Sequence, residues 1–135
     1  MERFLYGAAK RSLVLLAGGT LYCAIEVAWR GYTHISMAIC GAVCFYIMFR
    51  LEEMPRFRSF SLILRALAGA CVITAAEFLT GCAVNLWLGL GVWDYSGVPL
   101  SFLGQICLPY SVLWVFLSLA VFPLCDVMRK GIFCA

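Results

Sequence analysis

The chain is short of charge. Only 13% of its 135 residues are Asp, Glu, Lys or Arg, and 64% are hydrophobic. A soluble domain carries about a quarter charged residues, so a water-soluble globular protein is the wrong class. A mean hydropathy of +0.98 points instead to a membrane. Histidine is scarcer still, with His34 alone, which makes a metal site a poor expectation. The sequence holds no GxSxG nucleophile elbow, no HExxH and no GxxxxGK[ST] phosphate loop. His34 with Asp94 is the one acid–base pair on offer, and no nucleophile accompanies it, so no catalytic residue and no cofactor is expected. The net charge of +3 comes from small basic clusters beside apolar runs, which is not a nucleic-acid pattern.

The eight cysteines do not describe a disulfide framework. Cys23, Cys40, Cys44, Cys71, Cys82 and Cys107 fall within apolar segments, and only Cys125 and Cys134 lie near the tail. There they act as small hydrophobes. Residues 1–11 mix aromatic and basic side chains and read as a short interfacial helix. The first apolar run lacks a small-residue cleavage pattern, so no removable leader is expected.

Four long apolar stretches then predict an all-α, polytopic membrane protein. Residues 1–135 form a single integral membrane domain with spans near 12–29, 35–49, 62–87 and 101–124. Pro55 breaks the polar connection between the second and third spans, Pro99 closes a glycine-rich loop or shallow re-entrant turn, Pro109 is expected to kink the fourth helix, and Pro123 to end it. Met37, Gly41, Cys44 and Met48 recur at helical spacing and read as packing. Of the ten Lys and Arg residues, nine lie beside the termini or the middle connection, and only Arg30 lies on the other side. That asymmetry places both termini in the cytoplasm.

Within the spans a few polar residues stand out. Tyr22, Glu26 and Arg30 recur every four residues on the first helix, and Glu77, Gly81 and Asn85 do so on the third. At about 1.5 Å per residue, Glu26 lies about 22 Å from Arg11 and Glu77 about 18 Å from Arg65. Gln105 reaches a similar outer depth, with His34 and the Trp93-Asp94-Tyr95 turn just above. One reading is structural: Glu26 pairs with Arg30, Asn85 and Gln105 bridge helices, and the aromatics anchor the interface. The other makes the cluster an outward-facing pocket, since carboxylates inside a membrane often mark solute or proton pathways. In that reading Glu26 and Glu77 hold the positive charge or proton, Arg30 tunes Glu26, Asn85 and Gln105 orient, and Tyr22, His34, Trp93 and Asp94 complete the rim.

The ordered motifs RGYTHxSM at 30–37, ITAAEFLTGCAVNLWLG with VWDYS, and LGQICLPYSVLW at 103–114 resemble the type IV ABC-transporter permease family, also called CmpB-like. The resemblance covers about residues 22–118 and implies a small bacterial integral membrane protein. Taken with the polar cluster, it suggests a permease that binds or moves a small polar or cationic solute. Any ATPase would be a separate chain. Four spans are few for a transport path, so a homodimer is expected, with the small-residue faces at Gly18, Gly19 and Gly69 as its contact. The alternatives are a non-transporting accessory subunit of a larger membrane complex and an intramembrane enzyme acting on a lipid headgroup through His34 and Asp94.

Overall fold

A computed structural model describes residues 1–133. Cys134, read above as a tail cysteine, lies outside the described residues. Helix α1 (Glu2–Arg30) is followed by α2 (Ile35–Glu53), a single turn α3 (Pro55–Arg58), α4 (Leu62–Gly81) and α5 (Leu108–Gly131). The chain continues α4 as a π-helical stretch over Cys82–Trp87. Two short strands, β1 (Ser101–Phe102) and β2 (Ile106–Cys107), pair antiparallel with Ser101 opposite Cys107. Among the described residues, four helices are long and apolar enough to cross a membrane, the third being Leu62–Trp87 with its π-helical end. The all-α polytopic expectation therefore holds.

Local chemistry sets the helix ends. Nothing between Glu2 and Arg30 breaks α1, so the expected interfacial helix is simply its first turns. It stops at Gly31, whose φ of 81° is open to glycine at little cost. His34 then caps α2, its Nδ1 accepting the Ser36 N–H at 3.2 Å. Ser61 caps α4 by accepting the Leu64 N–H at 3.3 Å. The fourth helix starts at Leu108 rather than 101, because Ser101–Cys107 are committed to the hairpin. Pro109 consequently occupies the first turn, where its missing N–H would have no helical partner anyway. Pro123, expected to end the helix, lies inside it, and α5 runs on to Gly131.

α2 is the central post of the bundle, packed by α1 on one side and by α4 and α5 on the other. Its stripe of Met37, Cys40, Gly41, Cys44, Met48 and Phe49 is buried, as expected of packing. Buried apolar groups fall into three sets along the bundle. Val14, Phe49 and Met128 pack at the terminal end, Cys44, Ile73 and Phe122 in the middle, and Met37, Val84 and Trp93 at the loop end. Outward residues such as Leu16, Leu79 and Phe116 are exposed, which suits contact with hydrocarbon.

The α1–α2 contact depends on glycine. A Cβ on Gly41 would stand 2.6 Å from Tyr22 Cγ, one on Gly18 3.0 Å from the Gly41 carbonyl oxygen, and one on Gly19 3.1 Å from the Ala38 oxygen. Gly69 is likewise filled by Ser118 and Met48. The faces expected to join two copies of the chain are thus used within one. Replacing Gly41 by leucine should cost about 1–3 kcal/mol, the usual price of overpacking. Gly131→Ala, at a site with open space around it, should be neutral. Unfolding of both variants in detergent checks this, and equal midpoints would contradict the close contact.

Candidate functional site

The last turns of α1 carry Tyr22, Glu26 and Arg30 one above another, facing the loop that returns from α4. Arg30 forms an ion pair with Glu26 and donates a second hydrogen bond to the Val92 carbonyl at 3.1 Å. The Thr33 hydroxyl donates to the other Glu26 oxygen at 2.7 Å. The Arg30 guanidinium also lies over the Tyr32 ring, 4.7 Å from its centroid. Both oxygens of Glu26 are therefore engaged, and the carboxylate is buried. Sequence reasoning left this pairing open; the structure forms it, and the Arg30–Val92 bond latches α1 to the lid.

The lid is the segment from Leu88 to Cys107, and two amides hold it down. Asn85 donates from Nδ2 to Gln105 Oε1 at 2.8 Å, and its Oδ1 accepts the Val92 N–H at 2.6 Å. Gln105 donates from Nε2 to the Leu103 carbonyl at 2.9 Å, and its own carbonyl accepts the Trp93 indole N–H at 3.0 Å. Asn85 stands on the π-helical turn. Such widened turns recur at functional sites; this one carries the amide that meets both the hairpin and the returning loop. Gln105 sits in the hairpin turn, not inside a fourth span as expected, yet it is buried.

The remaining expected residues separate. Trp93 is the buried inner side of the lid, while Asp94 is exposed and accepts from the Ser96 N–H at 2.9 Å and from the Ser96 hydroxyl. Those bonds hold the Asp94 carboxyl below the usual carboxylate range. His34 is engaged in capping α2. The supposed acid–base pair is thus two local turn-formers, each occupied by its own serine.

Beneath the lid is a chamber of about 50 Å³, walled by Tyr22, Glu26, Arg30, Trp93, Tyr95 and Trp114. Tyr95 stacks on Tyr110 at 4.8 Å, which abuts Trp114 at 6.3 Å, and Trp114 abuts Tyr22 at 6.4 Å. Below that aromatic row lies Glu77, 1% exposed. The Trp114 indole donates to Glu77 Oε2 at 2.8 Å. Tyr22 faces the same carboxyl, yet Oε1 is enclosed and accepts no hydrogen bond. Tyr22 and Ile25 are shared between the chamber and an apolar cleft of about 170 Å³ bounded by α1, α2 and α5.

Residues 20–133 match the family described as "Putative ABC-transporter type IV". The chain belongs to that family. No curated protein and no solved structure matches it. The family's description and the four apolar helices together make it a multi-pass membrane protein of ABC-transporter type. Every residue of the chamber and lid falls within the matched segment of this family member.

One buried group escaped sequence reasoning. Glu52, at the opposite end of the bundle, is 1% exposed and receives both oxygens' worth of hydrogen bonds from Arg65 Nη1, each 2.9 Å. Arg58 adds bonds to the Glu52 and Glu53 carbonyls at 2.9 and 3.1 Å. The α2 stripe, extended one turn past Met48, lands on Glu52, so the signal was there. Among the described residues, no group of three His, Cys, Asp or Glu side chains gathers to hold a metal.

Truncating Asn85 to alanine should leave the Val92 N–H and Gln105 without partners, at about 1–3 kcal/mol. The expected result is faster amide exchange across residues 88–107 with α1 and α2 unchanged. Unaltered exchange in the lid would remove Asn85 from that role.

Proposed function

We propose that the chain binds and moves a small cationic solute at the loop end of the bundle, and that Glu77 receives it. The observation that carries this reading is the half-satisfied carboxyl: Glu77 is enclosed and one of its oxygens accepts no hydrogen bond. An enclosed carboxyl of this kind is expensive to keep in a membrane and marks a pathway by default. Glu26, by contrast, is consumed by Arg30 and Thr33. The solute role read for two carboxylates therefore narrows to one, with Glu26 and Arg30 as the latch over it.

Size bounds the solute. A cavity needs about 10–15 Å³ of such volume for one water, so the chamber of about 50 Å³ suits an ion or a very small cation. Larger solutes require the Arg30–Val92 latch to part. The clustering of nine of ten basic residues away from Arg30 supports a chamber that faces outward and termini in the cytoplasm. A second reading is a non-transporting subunit that organises a larger membrane complex, with a separate ATPase or another membrane chain. The apolar cleft bounded by α1, α2 and α5 favours it, since it has room for an apolar side chain of a partner helix packed against that face.

The test is thermal stability of the purified protein with alkali cations, ammonium and guanidinium, beside Glu77→Gln and Glu26→Gln. A ligand at a hundredfold excess over its Kd stabilises by about 2.7 kcal/mol. Glutamine retains an acceptor for Trp114, so Glu77→Gln should fold but lose the response. Glu26→Gln should be less stable, because it leaves Arg30 unpaired. A Glu77→Gln protein that responds as the wild type does would refute the assignment.

A further inference from the structure

A second polar hollow lies at the opposite end of the bundle, and nothing in the transport reading uses it. It measures about 340 Å³ and is walled by Tyr6, Lys10 and Arg11 of α1 and by Tyr46, Arg50 and Glu53 of α2. Three cations face one carboxylate there. Glu53 is already engaged through both oxygens, one paired with Lys10 and the other 3.5 Å from Arg50. Arg11 makes a single bond, from Nε to the Gly7 carbonyl at 3.1 Å. The Tyr6 hydroxyl donates to the Phe133 carbonyl at 3.1 Å. The hollow is kept open at Gly7, where an added Cβ would meet only Arg11 Nη2, at 3.9 Å.

Its height in the membrane follows from helix length. α1 has 29 residues and is about 43 Å long at about 1.5 Å per residue, against a hydrocarbon core of about 30 Å. With the Arg30 end at one interface, the first two to three turns project past the other. Lys10, Arg11 and Arg50 are thereby set at the level of lipid phosphates. Arginine presents a planar fork that fits phosphate oxygens, and lysine a point charge.

We propose that this hollow is a seat for a phosphate oxyanion, supplied by the headgroup of an anionic membrane lipid. Arg11 and Arg50 take the phosphate, Lys10 stays bound to Glu53 and adds its field, and the tyrosines flank the headgroup. The α1 half of the seat precedes the family match, which begins at residue 20. The seat thus combines a segment outside the match with one inside it. The inference is independent of the solute assigned to Glu77.

The test measures lipid retention by native mass spectrometry, and thermal stability, for the full chain with phosphatidylglycerol, phosphatidylcholine or inorganic phosphate. A basic residue near an anionic lipid surface contributes roughly fivefold in affinity. Wild type should thus prefer phosphatidylglycerol by on the order of tenfold. The double variant R11Q/R50Q should lose that preference, while R3Q/R56Q, with the same charge change at exposed sites outside the hollow, should keep it. Gly7→Leu fills the space without altering charge and improves helix propensity, so it tests the seat even where R11Q/R50Q folds poorly; it too should lose the preference. Equal loss in R3Q/R56Q, or full retention in Gly7→Leu, would overturn the seat. Inorganic phosphate stabilising as strongly as phosphatidylglycerol would overturn the lipid as its source.

Discussion

Inside a hydrocarbon slab no water is at hand, so each polar group must find its partner within the protein. Most of this molecule's polar chemistry obeys that constraint. Glu26 is closed by Arg30 and Thr33, Asn85 by Gln105 and the Val92 amide, and Glu52 by Arg65. Each closure also joins two parts of the chain. The first ties α1 to the connection before α2, while Arg30 also reaches the Val92 carbonyl of the lid; the second ties the end of α4 to the hairpin, and the third ties α2 to α4. Among the described residues, Ser118 Oγ and the Nε atoms of Arg30, Arg65 and Arg129 are enclosed without a partner. Glu77 is the carboxylate that joins them: the Trp114 indole serves one oxygen, and the other accepts no hydrogen bond. That exception gives a well-packed bundle something to do.

The route from sequence to that exception runs through small residues. Gly18 and Gly41 allow α1 to lie against α2, which brings Tyr22 over the bundle and Glu26 and Arg30 to the lid. Gly81 performs the matching service on α4: a Cβ there would stand 2.5 Å from Gln105 Oε1 and 3.0 Å from Trp93 Cζ2. The lid can therefore sit deep enough for Trp93 to be buried. Its attachment is by a handful of hydrogen bonds rather than by a broad apolar face, and elements held that way open at lower cost than the helices they cover. A latch at Arg30 and a tether at Asn85 give the chamber two places at which to open.

Much of this was legible in the residues. Apolar length gave the helices, the spacing of Met37, Gly41, Cys44 and Met48 gave the buried side of α2, and the step of four from Tyr22 to Arg30 gave the chamber wall. The lid was not legible as built. Ser101 to Cys107 is apolar enough to read as the start of a helix, but pairing between Ser101 and Cys107 and the positive φ of Leu100 and Leu103 turn it into a hairpin. Tertiary contacts decided that, since Gln105 needs Asn85 and Trp93 around it. His34 and Asp94 misled for the opposite reason. Their chemistry is versatile, and local turns claim it first. Glu52 was hidden by its neighbours, because a charged, proline-broken connection does not announce that one carboxylate in it faces inward.

Glu77 is the carboxyl left free for a solute, and Glu26 the occupied one. The most direct measurement is carbodiimide modification of the membrane-embedded protein, read by peptide mass spectrometry. An apolar carbodiimide reaches the bundle through the lipid phase and reacts with a carboxyl that no ion pair holds. The account predicts an adduct on the peptide carrying Glu77, with Glu26 unmodified. An adduct on Glu26 with Glu77 untouched would contradict it.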